Sequence, residues 1–100
     1  DTICYATKEN QEAAHELGRD PEIGLILVIG GTRSANTRHL WEICARSKPS
    51  HLIQGAEDID PAWFEGVRVV GITAGASTPD YVVDEVEAAI VRLASPGGPA

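Results

Sequence analysis

A continuous apolar run, Leu25-Ile26-Leu27-Val28-Ile29, lies between Gly24 and Gly30 and constrains the fold more than any other segment. Branched aliphatic side chains without polar alternation are typical of a strand that is covered on both faces. The run therefore predicts a central strand of an α/β domain. One hundred residues with a hydrophobic content of 43% can enclose one core of this kind.

Two further strands are predicted, over His51–Ile53 and over Val67–Ile72, with a single helical turn over Asp60–Phe64 between them. Long segments connect the strands and no hairpin turn of the Asn-Gly type occurs, which favours a parallel sheet. Right-handed crossovers then bring the carboxyl ends of all strands to one edge, where ligands of open α/β sheets bind. We expect a small parallel sheet flanked by helices on both faces.

Three helices are predicted around this sheet. The first begins at Thr7, whose hydroxyl can cap it, and ends at Gly18. The second runs from about Ser34 to Ser47, and the third follows a cap at Ser77 or Thr78. The third helix is expected to bury Tyr81, Val82, Val86, Ala89, Ile90 and Leu93.

Residues 1–94 are predicted to form a single α/β domain, followed by a flexible tail over residues 95–100. The start at Asp1 lacks an initiator methionine and the basic and apolar regions of a signal peptide, so we expect a cut inside a longer protein or a mature end. Two widely separated cysteines do not make a disulfide framework, which favours a reducing compartment, the cytoplasm.

A formal net charge of -7 argues against nucleic acid and anionic membranes as the main partners, because both reward clustered Lys and Arg. No apolar run approaches the roughly 20 residues that span a bilayer. Any phosphate group must therefore be held locally, by a few well-placed donors.

Three short polar segments stand ahead of predicted helices and would meet at one edge of a parallel sheet. They are Cys4-Tyr5-Ala6-Thr7, Ser34-Ala35-Asn36-Thr37 and Thr73-Ala74-Gly75-Ala76-Ser77-Thr78-Pro79. Backbone N–H groups at helix starts, together with hydroxyls and an amide, favour a small anion. The segments predict an anion site with a cysteine sulfur beside it, although the third segment also suits a simple helix cap.

The two cysteines differ in their sequence surroundings. Cys4 precedes a predicted helix, whose dipole favours a thiolate that can attack or act as a ligand; a small buried hydrophobe is the alternative. Cys44 shares a helical stripe with Leu40 and Ile43, which predicts core packing.

Other segments lack features that known site motifs require. The turn at Gly30-Gly31 is similar to dinucleotide-binding turns but lacks their later glycines. His15, His39 and His51 show no metal-ligand spacing, and the acidic residues between Glu57 and Asp60 fit no calcium loop. The four aromatic residues that are expected to pack in the core or at its boundary are Trp41, Trp63, Phe64 and Tyr81.

Taken together, three motifs in this order closely resemble the last third of the 4-hydroxy-3-methylbut-2-enyl diphosphate reductases, the LytB or IspH family. The motifs are the segment from Asp1 to Thr7 with Gln11-Glu12-Ala13, then Ser34-Ala35-Asn36, and then the 73–79 segment. The similarity runs along nearly the whole chain. It implies one segment of a three-segment trefoil around a 4Fe-4S cubane, to which each segment supplies one thiolate. Cys4 matches the third of these cluster ligands.

The resemblance also implies a reaction. The substrate's allylic hydroxyl binds the remaining iron, and two electrons and protons then remove water to give isopentenyl and dimethylallyl diphosphates. Ser34, Asn36 and Ser77 match the hydroxyl and amide groups that hold the diphosphate, and Thr7 matches a threonine close to the cluster and substrate. A ferredoxin or a flavodoxin is the implied electron donor.

Two departures from the family pattern limit what this chain can do. Ala35 stands within a usual Ser-Ser-Asn pattern, and a lost hydrogen bond to a charged group is worth about 1.5–3 kcal/mol if that hydroxyl touched substrate. The other two cluster cysteines, the substrate-binding histidines and the proton-supplying glutamate lie in segments absent from this chain. We therefore expect a C-terminal segment that is inactive in isolation and contains no catalytic residue.

Two other functions stay open on the sequence. One is a standalone diphosphate-binding or interaction module that lacks redox chemistry and pairs with other chains. The other is a Cys4 nucleophile that acts on phosphate or sulfur groups, for which no basic cradle surrounds Cys4.

Overall fold

The computed structural model describes residues 2–5, 11–31, 33–64, 66–67, 69–75 and 78–94. These residues form four strands, three α-helices and two short 3-10 turns. In chain order the elements are β1 (Thr2–Tyr5), α1 (Gln11–Arg19), β2 (Leu25–Ile29), α2 (Ala35–Ala45), β3 (Ser50–Ile53), the 3-10 turns Ala56–Asp58 and Pro61–Phe64, β4 (Val69–Ala74) and α3 (Asp80–Ala94).

The four strands make one parallel sheet in the order β1-β4-β2-β3. The central strand β2 begins and ends where the apolar run predicted, and all five of its residues are buried. The prediction of a parallel sheet is confirmed. It follows from the long crossovers, because each return to the start of a parallel strand needs a connecting segment.

The first strand is an element that the sequence prediction lacked. Thr2–Tyr5 pairs with β4 at the sheet edge, whereas we expected the chain to begin with a helix at Thr7. Within the described residues α1 begins at Gln11, and Thr7 lies outside them. Branched and aromatic residues favour β1, but four residues are too few for periodicity to identify a strand.

The other boundaries differ by one or two residues. α2 begins at Ala35 and ends at Ala45, with Ser34 as its N-cap, and the expected helical turn is present as the 3-10 turn Pro61–Phe64. β4 continues to Ala74, so Thr73 is buried within the strand and does not belong to the polar loop that we expected. Its pairing with the buried strand β2 extends β4 beyond its apolar run.

Helices cover both faces of the sheet, as predicted. The face with α1 and α2 buries Ile26 and Val28 of β2, and the face with α3 buries the alternate residues Leu25, Leu27 and Ile29. This alternation is why β2 has no polar face. Of the helices that the structure describes, none has the length and apolar character needed to cross a bilayer.

The buried stripe of α3 differs from the expected one at its start. Tyr81 is 64% exposed and Val83 is buried, while Val86 and Ile90 are buried as predicted. Residues 83, 86 and 90 follow the three- and four-residue spacing of one helix face, and Tyr81 lies off that face. Val82 and Ala89 are half-buried, and the side chain of Leu93 lies outside the described residues.

Adjacent residues of α3 test this packing. Ile90→Ala should lower the free energy of unfolding by about 2–5 kcal/mol, because it leaves a cavity under the sheet. Val91→Ala is the matched control, since Val91 is 52% exposed, and it should stay within about 0.5 kcal/mol of the parent chain. Urea unfolding followed by circular dichroism measures both values. Equal losses for the two variants would contradict the assigned burial.

Candidate functional site

Two turns lie side by side at the carboxyl edge of the sheet. Ile29 of β2 pairs with both Ala74 of β4 and Ile53 of β3, so these three strands end at one level. The hydrogen bonding between the strands continues for one residue beyond these pairs. The Gly30 N–H donates to the Ile53 carbonyl at 2.9 Å, and the Gly75 N–H donates to the Ile29 carbonyl at 2.9 Å. The start of α2 and the turn after β4 are therefore neighbours.

The start of α2 has the properties of an anion site. The Ser34 Oγ accepts a hydrogen bond from the Thr37 N–H at 3.3 Å and caps the helix, and the exposed Asn36 follows in the first turn. No acidic residue lies in that turn, and the exposed Arg33 precedes the cap. Helix starts carry a partial positive charge and free N–H groups. Ser34 and Asn36 are thus brought together at a locally positive point of an acidic chain.

Thr78 does not have the role that the sequence predicted. Its hydroxyl donates to the Ile29 carbonyl at 3.0 Å, and its N–H donates to the Gly75 carbonyl at 3.0 Å. The hydroxyl connects the turn after β4 to the end of β2 and does not cap α3. The Ile29 carbonyl accepts from both Gly75 and Thr78, which uses both of its lone pairs. Ser77, the other expected cap and a predicted site residue, lies outside the described residues.

Cys4 lies in the edge strand, one residue before the end of β1. It pairs with Gly71 of β4, which precedes Ala74 by three residues. At about 3.3 Å per residue, the level of Cys4 is roughly 10 Å along the strands from the ends of β2 and β4. The structure thus brings Ser34 and Asn36 together beside the Gly75 turn, and it locates Cys4 in the carboxyl half of the neighbouring edge strand.

Cys44 is unsuited to bind a cluster iron. It is fully buried on the α1–α2 face, and its Sγ lies 4.0 Å from the Ala14 carbonyl oxygen. Burial raises the pKa of the Cys44 thiol to about 11, so the thiolate that iron requires is disfavoured at neutral pH. The predicted packing role is confirmed. No cluster of three or more His, Cys, Asp or Glu side chains suited to a metal occurs within the described ranges.

A second concave surface was missed by the sequence prediction. The rings of His51 and Trp63 stack with their centroids 3.8 Å apart and their planes at 5°. Burial, opposed by the charge of Asp60, lowers the pKa of His51 below its ordinary value. The stack arises because the 3-10 turn Pro61–Phe64 folds back over β3. A contact of this kind leaves no periodic pattern in the sequence from which it could be predicted. The cavity beside it, of about 260 Å³, is lined by Arg38, Trp41, Ser50, His51, Leu52 and Trp63.

A protein-family model described as LytB protein matches residues 1–91. Curated relatives named 4-hydroxy-3-methylbut-2-enyl diphosphate reductase include one from Pelobacter propionicus, 57% identical over 86 residues, and one from Nitratiruptor sp., 50% identical over 86 residues. Each match covers 85% of this chain and 30% of the relative. The chain thus spans about a third or less of the length of these relatives.

Solved structures show the same relation. A structure of (E)-4-hydroxy-3-methyl-but-2-enyl diphosphate reductase matches with a TM-score of 0.77 and 41% identity over 82% of this chain and 29% of that one. The E-1-hydroxy-2-methyl-but-2-enyl-4-diphosphate reductase of Plasmodium falciparum matches with a TM-score of 0.69 and 25% identity, covering 86% of this chain and 26% of its own. The fold described above is therefore similar to one part of larger reductases.

The protection of Cys44 can be measured by alkylation. With a pKa near 11, about one thiol in a thousand is ionised at pH 8, so iodoacetamide should label Cys44 very slowly in the folded chain. Labelling should become fast and complete in concentrated urea, which serves as the control. Peptide mapping by mass spectrometry measures the reaction at this residue. Rapid, stoichiometric labelling of Cys44 without denaturant would contradict its burial.

Proposed function

Because this chain belongs to the LytB protein family, we propose that it is the C-terminal segment of an iron–sulfur reductase that converts 4-hydroxy-3-methylbut-2-enyl diphosphate to isopentenyl and dimethylallyl diphosphates. The observation that supports this most directly is the start of α2. There Ser34 and Asn36 share a turn that contains no acidic residue, next to the turn after β4. Hydroxyl, amide and backbone N–H donors at a helix start suit the diphosphate group of such a substrate.

In this proposal each site residue has a separate task. Ser34 and Asn36 bind and orient the diphosphate from the start of α2, and Ser77 adds a further hydroxyl. Thr7 corresponds to the threonine that stands close to the cluster and the substrate in the family. Ala35 stands where the family pattern has a second serine, so this set has one hydroxyl fewer. Diphosphate binding is weaker by the contribution that the serine hydroxyl makes where it touches the substrate.

Cys4 supplies one thiolate to a 4Fe-4S cluster in the proposed enzyme. When bound, the cluster supplies the electrons that reduce the substrate. The donor chemistry of this chain fits one part of such a site, because Cys44 is a buried thiol and no group of three or more His, Cys, Asp or Glu side chains suited to a metal occurs among the described residues. The other thiolates and the proton donor come from other segments of the longer protein, and a ferredoxin or a flavodoxin donates the electrons. A reducing compartment, the cytoplasm, suits this chemistry.

A second candidate function follows from the same observations. The described residues contain a helix start suited to an anion, and they do not contain a complete cluster site. A module that binds diphosphate without redox activity would need nothing more. The two candidates differ in whether the encoding gene continues upstream of Asp1 into segments that hold two further cysteines.

Pyrophosphate titration tests the anion site. A helix start contributes about 0.3–1 kcal/mol and each charge-assisted hydrogen bond about 1.5–3 kcal/mol before ordering costs, so we expect millimolar binding. Amide resonances at Ser34 and Asn36 should shift in a saturable way. Asn36→Ala and Ser34→Gly should each weaken binding about tenfold. Glycine is chosen at position 34 because it retains most of the stability of an N-cap.

Ser47→Ala is the control for this titration, since Ser47 is exposed beyond the opposite end of α2. It should bind pyrophosphate like the parent chain. Shifts scattered over the surface, or equal weakening by all three substitutions, would contradict an anion site at the start of α2.

Anaerobic reconstitution tests the assignment of the cluster. The isolated chain should retain no stoichiometric 4Fe-4S cluster, because it offers one available thiolate where a cubane needs several. A longer reductase that carries this segment should assemble the cluster, and Cys4→Ser in that protein should impair the assembly. Iron and sulfide analysis measures both. A stable cubane on the isolated monomer would overturn the assignment.

A further inference from the structure

Thr37 is an unusual residue in the first turn of α2. Its side chain is completely buried, and in the described part of the chain its Oγ1 is the one buried side-chain oxygen without a hydrogen-bond partner. Its backbone N–H, in contrast, donates to the Oγ of the cap residue Ser34. Buried polar groups are nearly always paired, so this hydroxyl requires an explanation.

The Thr37 side chain fills the space between the two turns of the anion site. A Cβ atom built at Gly30 would lie 2.6 Å from the Thr37 Cγ2 and 2.7 Å from its Oγ1. A Cβ at Gly75 would collide with the same Oγ1, and the three nearest atoms outside its chain neighbours all belong to Thr37. Both turns therefore contact Thr37 through a glycine, and any residue with a Cβ atom at either position would collide with the threonine side chain. The contact also leaves no room for a water molecule between Oγ1 and Gly75.

Valine would fill the same space without the penalty of a buried, unpaired hydroxyl. The hydroxyl therefore lowers the folding stability of the free chain and does not improve its packing. The glycines that its side chain contacts are Gly30, just ahead of the start of α2, and Gly75, at the beginning of the turn after β4, so the hydroxyl lies between the two parts of the anion site. A partner that is missing in the free chain is most simply supplied when an anion binds to these two parts and reorients their N–H and hydroxyl groups.

We infer that Thr37 is a positioning residue for diphosphate: its side chain sets the separation of the α2 start and the Gly75 turn, and its hydroxyl gains a hydrogen-bond partner when the anion binds. This inference rests on the proposed function, because it refers to the same anion site. Thr37 is buried and does not touch the ligand. It acts through Ser34, to which its N–H is bonded, and through Gly75, which its side chain contacts.

Three variants of the full chain separate the hydroxyl from the shape of the side chain, with inorganic pyrophosphate as the probe. Thr37→Val should keep or raise the melting temperature and weaken pyrophosphate binding at least fivefold. Thr37→Ser should lower the melting temperature, because it loses the methyl group, and should bind within twofold of the parent. Thr78→Val is the contrast for stability: the Thr78 hydroxyl is paired with the Ile29 carbonyl, so its removal should lower the melting temperature.

The outcomes distinguish this inference from the proposed function. Equal pyrophosphate binding by the parent and Thr37→Val overturns the inference alone. A lower melting temperature for Thr37→Val also overturns it, because the hydroxyl would then be paired in the free chain. Absence of saturable binding by the parent overturns the anion site and the inference together. If Thr37 had a purely structural role, its substitutions would change the melting temperature and the affinity for pyrophosphate in the same direction.

Substitutions at the glycines test the contact itself. Gly75→Ala should lower the melting temperature by several degrees, and adding Thr37→Ala should recover much of that loss, because the colliding Oγ1 is removed. Gly31→Ala is the matched control, since no atom beyond its chain neighbours lies within 4 Å of the added methyl group. A Gly75→Ala variant as stable as Gly31→Ala would show that Thr37 does not constrain the turn.

Discussion

Parallel pairing between β2 and β4 is the interaction on which the rest of the structure depends. Both strands are buried on both faces, and their register aligns Ile29 with Ala74. Because the strands end at one level, the turn that leads to α2 and the turn after β4 leave the sheet together. Hydrogen bonds from Gly75 and Thr78 to the Ile29 carbonyl then hold those turns in place. A shift of register by even one residue would separate the polar groups that the proposed function requires.

The electrostatic character of this edge differs from that of the whole chain. A net charge of -7 disfavours phosphate in general, but the first turn of α2 carries no carboxylate and follows an arginine. Local helix geometry can therefore outweigh the overall charge over the few ångströms at which hydrogen bonds act. The two cysteines of the chain also have different surroundings. One edge strand can carry Cys4, while the other cysteine is committed to the core.

Sequence reasoning succeeded where one strong local signal was sufficient. The apolar run predicted both ends of β2, the stripe of Leu40, Ile43 and Cys44 predicted a buried face of α2, and Ser34 lies at the expected helix start. It failed where the segment was short, where a residue lay at the boundary of a helix face, or where the contact joined residues distant in the chain. β1 is too brief to show a period, and Tyr81 could be placed on either side of an amphipathic boundary until the start of α3 was known. His51 and Trp63 are twelve residues apart and meet only because a turn folds back over β3.

The sequence by itself determined the class of fold, the central strand, the packing role of Cys44 and the polar composition of the turn that begins with Ser34. These properties depend on hydrophobic periodicity and helix capping, which act within a few residues and can be read along the chain. Only the tertiary structure decided the strand order, the level of Cys4 relative to the ends of β2 and β4, and the contact of Thr37 with two glycines 45 residues apart. Those features require segments distant in the chain to meet in one register, and that register is set by packing over the whole sheet.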